Sequence, residues 1–269
     1  MHVASLANCA PVLRADPYSL DNEALAESIE ATASAGFDAV GLWGFHVQFG
    51  GDDAAAIVAD WGLPVTTLDA ALSWVDGPSD AAIAEIDGLL ALAEHLDAPV
   101  IHATTLNPEV DLAAAADGYA AIAERAQAAG RRLGLEFLPW TGIPSLRVAN
   151  QLCESAGPAA GILLDTFHWT RQPGGPDLDL LRSLPGHRIT SVQLNDVALS
   201  PGPDVEHEAM HARLLPGTGA VDYATIWEAL DHIGATPVIA AEVMNDELVA
   251  AGPAAMASAV HDATRTVLP

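Results

Sequence analysis

Four short apolar segments of the chain each end at, or next to, a side chain that offers an oxygen ligand. The donors are Glu136, Asp165, Gln193 and Glu242, and the first three are 29 and 28 residues apart. That spacing is about the length of one strand–helix unit. Three carboxylates and one amide form a hard ligand set that suits Mn²⁺ or Mg²⁺, with Co²⁺ or Zn²⁺ as alternatives. One such acid could simply cap a helix, but four in phase predict a single divalent cation site.

Eight segments have the apolar character of strands, and segments with helical spacing separate them. Ile83, Ile86 and Leu90 repeat at helical spacing after a capping residue, Ser79. Strands that are apolar on both faces and joined by helices form parallel sheets. The predicted strands are Val3–Ala7, Ala39–Trp43, Pro64–Leu68, Pro99–Ala103, Leu133–Phe137, Gly161–Asp165, Ile189–Leu194 and Val238–Val243.

Eight strand–helix units without a break in composition predict an α/β fold, a single (β/α)₈ TIM barrel over residues 1–269. The alternative is an open, doubly wound sheet. That fold usually has a Gly-rich phosphate loop after its first strand, where this chain reads Asn8-Cys9-Ala10-Pro11. In a barrel the carboxyl ends of the strands form the active face. All four oxygen donors are predicted to lie there.

Four more side chains are predicted to lie on this face. His168 follows the second donor by three residues and could serve as an acid, a hydrogen-bond donor or a ligand. Arg213 lies in the long connection 196–221, where it could clamp a substrate oxygen or form an ordinary salt bridge. His102 ends the fourth predicted strand and could bind substrate or be a buried, hydrogen-bonded core residue. Trp140 could line a ligand or pack beneath a loop.

The charge of the chain bounds its partners. It has 36 acidic residues against 10 basic ones, all of them arginine, and a net charge of −26. Such a chain repels phosphate backbones and anionic membrane surfaces, so we expect a small-molecule substrate and no nucleic acid or membrane partner. Cys9 and Cys153 form no disulfide framework, and residues 1–7 lack the features of a signal peptide. The expected location is the cytoplasm, and the sequence allows either a monomer or a homo-oligomer.

The segments that carry these residues resemble the xylose-isomerase-like TIM barrel superfamily over essentially the whole chain. Its members include sugar isomerases and epimerases, hydroxypyruvate isomerase, inosose and 3-dehydroshikimate dehydratases, and endonuclease IV. The resemblance implies that Glu136, Asp165, Gln193 and Glu242 are the metal ligands. Gln193 is more similar to hydroxypyruvate isomerase and 3-dehydroshikimate dehydratase than to the many ketose epimerases that have His there. The segments that carry the resemblance are Leu135–Trp140, Leu164–His168, Val192–Asp196, Arg213 with Pro216–Gly219, and Ala241–Asp246.

The donor set indicates chemistry on a carbon next to a carbonyl group. A bound cation would stabilise the enediolate that forms when the α-proton leaves, with Glu136 and Glu242 as base and acid. Return of the proton elsewhere gives an isomerase or epimerase of a small polyhydroxy carbonyl compound, which is the first hypothesis. Loss of a β-hydroxyl, with His168 as acid, gives a dehydratase of a cyclic keto-polyol or keto acid. A barrel that binds a small ligand without turnover is a third hypothesis, from another class.

The charge also yields a direct test. At a net charge of −26, counterion release cannot supply the usual affinity for DNA, so we expect no binding at physiological salt. Fluorescence anisotropy with an abasic duplex measures this, and a nuclease assay on the same duplex serves as a check. Micromolar binding or cleavage would contradict the proposed substrate class.

Overall fold

A computed structural model of the protein describes residues 22–44 and 55–269. Within them, seven parallel strands form one sheet in which each strand pairs with the next along the chain. This sequential order is that of a TIM barrel. The strands are β1 (Val40–Trp43), β2 (Val65–Ala71), β3 (Val100–Ala103), β4 (Arg132–Glu136), β5 (Ala160–Asp165), β6 (Ile189–Leu194) and β7 (Val238–Ala241).

Helices follow the strands and cover the outside of the sheet. Ser79 caps one of them by accepting a hydrogen bond from the Ala82 amide, as the sequence predicts, and Asp222 caps another by accepting one from the Thr225 amide. No helix in the described ranges is long and apolar enough to cross a membrane. The helices are α1 (Asn22–Ala35), α2 (which includes residues 55–61), α3 (Asp80–His95), α4 (Leu112–Ala128), α5 (Leu146–Ala156), α6 (Thr166–Arg171), α7 (Leu178–Ser183), α8 (Val205–His211), α9 (Tyr223–His232), α10 (Asp246–Ala250) and α11 (Pro253–Val267).

The sheet curls until its first and last described strands approach each other. Trp43 of β1 packs against Ala240 of β7, and α1 packs against α11 on the outside. The seven strands therefore form a nearly closed barrel, which confirms the predicted fold class. The predicted strand Val3–Ala7 and the segment Asn8–Pro11 lie outside the described residues.

Seven of the eight predicted strands are described, and the structure confirms each within a few residues. The largest difference is in β2, which was expected to end at Leu68 and continues to Ala71. Its last residues are hydrogen-bonded to β3, where the register shifts between Leu68 and Ala71. This extension places Asp69 inside the strand, and its side chain becomes part of the barrel interior.

The barrel interior is crowded around Gly134 of β4. A side chain at this position would place its first carbon 2.4 Å from Oγ1 of Thr190 and 3.1 Å from Cδ2 of His102. Thr190 faces this space because β6 carries an extra residue there, between Ile189 and Ser191 in the register with β5. Glycine at position 134 therefore makes room for the His102 ring.

This crowding predicts the effect of one methyl group. Gly134→Ala should lower the free energy of unfolding by about 1–3 kcal/mol, the usual cost of overpacking a core. Chemical denaturation of the metal-free protein measures it. Gly202→Ala is the matched control, because nothing lies within 4 Å of the added carbon, and its effect should stay within about 0.5 kcal/mol. Equal midpoints for the two variants would contradict the prediction.

Candidate metal centre at the carboxyl ends of the strands

Three side chains converge where β4 and β5 end. Glu136 is the last residue of β4, Asp165 is the last of β5, and His168 lies in the first turn of α6. One ligand atom from each lies within 4.8 Å of the others. Asp165 caps α6 by accepting the His168 amide at 3.0 Å, and this local contact turns the imidazole toward Glu136. Nε2 of His168 is 3.4 Å from Oε1 of Glu136.

Asp165 is completely buried and is held by three donors. Its Oδ1 accepts the His168 amide, and its Oδ2 accepts Nδ2 of Asn195 at 2.7 Å and Nη1 of Arg213 at 3.0 Å. Asn195 is fixed in turn by the hydroxyl of Thr166. A buried carboxylate needs such donors to stay charged. The arrangement fixes the orientation of Asp165 and keeps it available as a ligand.

Arg213 is buried between two of the predicted ligands. Its Nη1 lies 3.0 Å from Oδ2 of Asp165 and 3.0 Å from Oε2 of Glu242. Burial alone would lower the pKa of the guanidinium, but the charges of Asp165, Glu242 and Glu136 raise it overall. Arg213 therefore forms salt bridges, one of the two roles that the sequence allows for it. A direct contact with substrate stays a prediction.

A second aspartate holds the loop that carries Arg213. The carboxylate of Asp196, at the start of the 196–221 connection, accepts the amides of Val197, Gly217, Gly219 and Val221 at 2.8–3.0 Å. Leu214 pairs with Asp196, and Ala212 pairs with Asn245 after β7. Arg213 is thus clamped between the loops that follow β6 and β7. Asp196 was not predicted as a site residue, and its role here is to shape the loop.

Glu242 follows β7 and is buried, with a side chain that faces other acids. Burial raises its pKa most, Arg213 lowers it, and the charges of Glu136, Asp165 and Asp69 raise it further, to about 8. In the metal-free protein the carboxyl group therefore holds a proton near neutral pH. A cation bound among these acids would replace that proton.

Gln193 lies beside Asp165 in the register of β5 and β6. Its Oε1 is buried and has no hydrogen-bond partner among the described residues. Buried polar atoms are nearly always satisfied, so this oxygen calls for a bound ion, water or ligand. Together with the cluster of Glu136, Asp165 and His168, it fits a divalent cation.

A hydrogen-bonded chain lies deeper in the barrel. Nδ1 of His102 contacts Oδ1 of Asp69, and Nε2 of His102 is 2.6 Å from the hydroxyl of Ser191. Burial lowers the pKa of His102, but the neighbouring charge and hydrogen bond of Asp69 raise it overall. His102 is thus a buried, hydrogen-bonded residue, which is the alternative to substrate binding that the sequence allows for it. Asp69 was missed, although it follows the apolar Leu68 just as the predicted ligands follow apolar residues.

Trp140 lies where the sequence predicts, next to the metal cluster. Its ring packs edge-on against His168 with centroids 5.4 Å apart. Its Nε1 is buried and finds no acceptor among the described residues. The ring therefore forms part of the wall around His168. A hydrogen bond from Nε1 to substrate stays a prediction.

The cluster predicts metal binding that depends on individual acids. Purified protein should bind about one Mn²⁺ per chain, and Glu136→Ala and Asp165→Ala should each lose it, because a missing ligand typically weakens a site by tenfold or more. Elemental analysis after dialysis measures the content. Asp177→Ala is the control, since this acid pairs with Arg147 at the surface, away from the predicted ligands. Full metal content in both test variants would contradict the site.

The raised pKa of Glu242 predicts a pH dependence. Below about pH 8 a cation must displace the Glu242 proton, so affinity should rise by up to ~10-fold per pH unit and level off above that value. Isothermal titration calorimetry in buffers of different ionisation enthalpy counts the released proton. Glu242→Gln should abolish the release.

The same group affects the stability of the metal-free protein. Because the pKa of Glu242 is raised on folding, the folded state holds a proton that the unfolded chain loses. The free energy of unfolding should therefore fall as the pH rises from the ordinary pKa of a glutamate side chain to about 8. Equal free energies of unfolding at pH 6 and pH 8 would contradict this effect, and equal metal affinities at these two pH values would contradict the proton release described above.

The family comparison agrees with this geometry. A family model described as "Xylose isomerase-like TIM barrel" matches residues 29–265. Two curated relatives are named 3-dehydroshikimate dehydratase. The protein from Pseudomonas putida is 27% identical over 241 residues, and the one from Pseudomonas aeruginosa is 29% identical over 239. Each alignment covers 84% of this chain, and the chain spans 37% of the length of each relative.

Solved structures show the same barrel. A xylose isomerase-like TIM barrel/4-hydroxyphenylpyruvate dioxygenase fusion protein matches with a TM-score of 0.82 at 23% identity, over 99% of this chain and 42% of that one. The IOLI protein with a bound zinc atom matches with a TM-score of 0.78 at 19% identity, over 89% and 91%. At such identities the structures support the fold, while the family model covers most of the chain. The protein belongs to the xylose isomerase-like TIM barrel family.

Proposed function

We propose that the protein is a divalent-metal-dependent dehydratase of a small cyclic hydroxy-keto compound. The observation that carries this proposal is the contact between His168 and Glu136, which puts a proton donor and a proton acceptor side by side at the predicted metal site. The curated relatives named 3-dehydroshikimate dehydratase favour dehydration over the isomerase or epimerase reading that led from the sequence alone. This chain spans 37% of the length of those relatives, so their activity supports the proposal and is not assigned to the chain by similarity.

The chemistry begins with removal of a proton from the carbon next to a carbonyl group. A bound divalent cation would act as a Lewis acid that stabilises the negative charge that develops on the carbonyl oxygen. Glu136 is the proposed base, because its side chain is the most exposed of the three clustered groups and so the most accessible to a substrate. Arg213 and Asn195 keep Asp165 in place during this step.

Dehydration is completed by departure of the β-hydroxyl group. The electron pair left by the α-proton forms the carbon–carbon double bond, and the hydroxyl leaves as water after it receives a proton from His168. His168 is suited to this role because Trp140 and Phe167 pack against its ring, at 5.4 and 5.5 Å between centroids, and fix its direction. Atoms and charges balance, since one proton is taken and one is given.

Isomerisation or epimerisation is the second candidate, and Glu242 is the observation that favours it. Burial and the neighbouring acids raise the pKa of this carboxyl group, so it is suited to take up a proton during the reaction and return it to the opposite face or to a neighbouring carbon. A mass-spectrometric screen of keto-sugars, keto-inositols and 3-dehydroshikimate with added Mn²⁺ separates the candidates. Loss of water means dehydration, and unchanged mass means isomerisation or epimerisation.

Absence of turnover with metal bound would instead favour the non-catalytic barrel. A homo-oligomer, a cytoplasmic location, a single domain over residues 1–269 and the preference for Mn²⁺ or Mg²⁺ over Co²⁺ or Zn²⁺ also remain predictions.

Two variants test the proton-transfer roles. Glu242→Gln should keep most of the metal, because an amide oxygen can still coordinate. If the protein is an isomerase or epimerase in which Glu242 returns the proton, turnover should fall by at least ~100-fold, the usual scale for losing an acid or base, whereas dehydration through Glu136 and His168 should change much less. His168→Asn should nearly abolish dehydration while the α-hydrogen still exchanges with solvent. Product formation and deuterium exchange, read by mass spectrometry and nuclear magnetic resonance, report the two steps separately.

The outcomes distinguish the roles. If His168 only binds substrate, KM should rise more than kcat falls in His168→Asn. Wild-type turnover in metal-loaded Glu242→Gln would show that Glu242 carries no proton in the rate-limiting chemistry. The surface variant Asp177→Ala again serves as the control for both measurements.

A further inference from the structure

The chain of Asp69, His102 and Ser191 forms a floor beneath the predicted metal ligands. Ser191 lies two residues before Gln193 on β6, and side chains two residues apart on a strand point to the same side. His102 joins Ser191 of β6 to Asp69 of β2, so the chain spans the interior from one wall to the other. All three residues are buried.

One oxygen of this chain lacks a donor. Oδ1 of Asp69 is engaged by His102, but Oδ2 is buried and has no hydrogen-bond partner among the described residues. Asp69 is 9% exposed overall. A buried carboxylate oxygen without a donor is costly, and native structures supply the donor from water or a ligand when the protein does not. Asp69 therefore requires a donor from outside the described chain.

The position of Asp69 indicates what that donor belongs to. The predicted metal ligands come from β4 to β7, whereas Asp69 comes from β2, on the opposite wall. His102, which contacts Asp69, pairs in register with Gly134, two residues before Glu136 on β4, so the Asp69 chain and the predicted ligands face one interior space. A substrate held by the metal-ligand half of the barrel would extend across this space toward Asp69.

The charges of the described site restrict the substrate group that can face Asp69. Three of the predicted ligands, Glu136, Asp165 and Glu242, are acids, and the buried guanidinium of Arg213 is already paired with two of them. A substrate carboxylate placed against Asp69 would meet like charge, which disfavours it. A hydroxyl group would instead donate a charge-assisted hydrogen bond, which is stronger than one between neutral groups.

We propose that Oδ2 of Asp69 accepts a hydrogen bond from a substrate hydroxyl group, and that the negative charge of Asp69 and the other acids of the site favours a neutral polyhydroxy ketone over a carboxylated one. His102 and Ser191 are positioning residues, because they hold Oδ1 and leave Oδ2 directed at the ligand. The inference rests on the proposed function and adds its substrate class.

The test compares a neutral keto-inositol with 3-dehydroshikimate, each with Mn²⁺-loaded protein. The wild type should have the higher kcat/KM for the keto-inositol. Asp69→Asn can still accept the His102 hydrogen bond, and it should raise KM for the keto-inositol at least ~10-fold while kcat changes much less, as expected for loss of a hydrogen bond to a charged group. Thr67→Val is the matched control, since this interior hydroxyl two residues earlier also lacks a partner, and its KM should not change.

A second measurement needs no variant. Keto-inositols that each lack one hydroxyl group should lose at least ~10-fold in kcat/KM at one position on the wild type. Calorimetric binding of the same ketones to metal-loaded protein is measured in parallel. Binding without turnover would count against the proposed function, while the ratio of Kd values for wild type and Asp69→Asn would still decide the role of Asp69.

Three results would overturn the inference. They are equal KM and Kd values in wild type and Asp69→Asn, a wild-type preference for 3-dehydroshikimate, and no loss with any deoxy analogue. Equal values, or a deoxy series without loss, would mean that Oδ2 of Asp69 does not contact substrate, and a preference for 3-dehydroshikimate would remove the proposed substrate class. If Asp69→Asn does not fold, judged by metal content and thermal unfolding, the deoxy series decides alone.

Discussion

The site depends on how the barrel holds several carboxylates together away from water. Asp165 and Glu242 are both buried, and Arg213 lies 3.0 Å from each of them. One guanidinium cannot balance four neighbouring acids, and the raised pKa of Glu242 shows that the remaining repulsion is met by a proton. A divalent cation would balance the remaining acids and replace the proton, so the same repulsion that destabilises the metal-free protein favours metal binding.

The long connection 196–221 holds Arg213 in position. Asp196 gathers four backbone amides and fixes the turn that contains Gly217 and Gly219. A side chain at Gly219 would come within 2.2 Å of the Val197 carbonyl, so only glycine lets the turn close on Asp196. Arg213 is thereby held between the loops after β6 and β7. The barrel provides the acids, and the long connection provides their counter-charge.

The fold was predictable because it depends on a pattern repeated along the chain. Apolar strands alternating with segments of helical spacing indicated the barrel, and seven strands are found at or near the predicted residues. Glu136 and Asp165 were predicted as ligands for the same reason, since each ends a strand, and the structure places both at strand ends. Asp69 was missed because the predicted strand ended at Leu68, whereas β2 continues to Ala71 and its register with β3 shifts between these two residues.

The sequence by itself determined the barrel, the acidic charge and the strand-end donors, because residue type and period are local properties. Tertiary structure alone decided which donors meet and in which charge state. His102 contacts Asp69 and Ser191 across 33 and 89 residues, and Arg213 joins Asp165 and Glu242 across 48 and 29. Such contacts follow from barrel closure and from burial, which set distance and dielectric together, and neither quantity is written in the neighbouring residues.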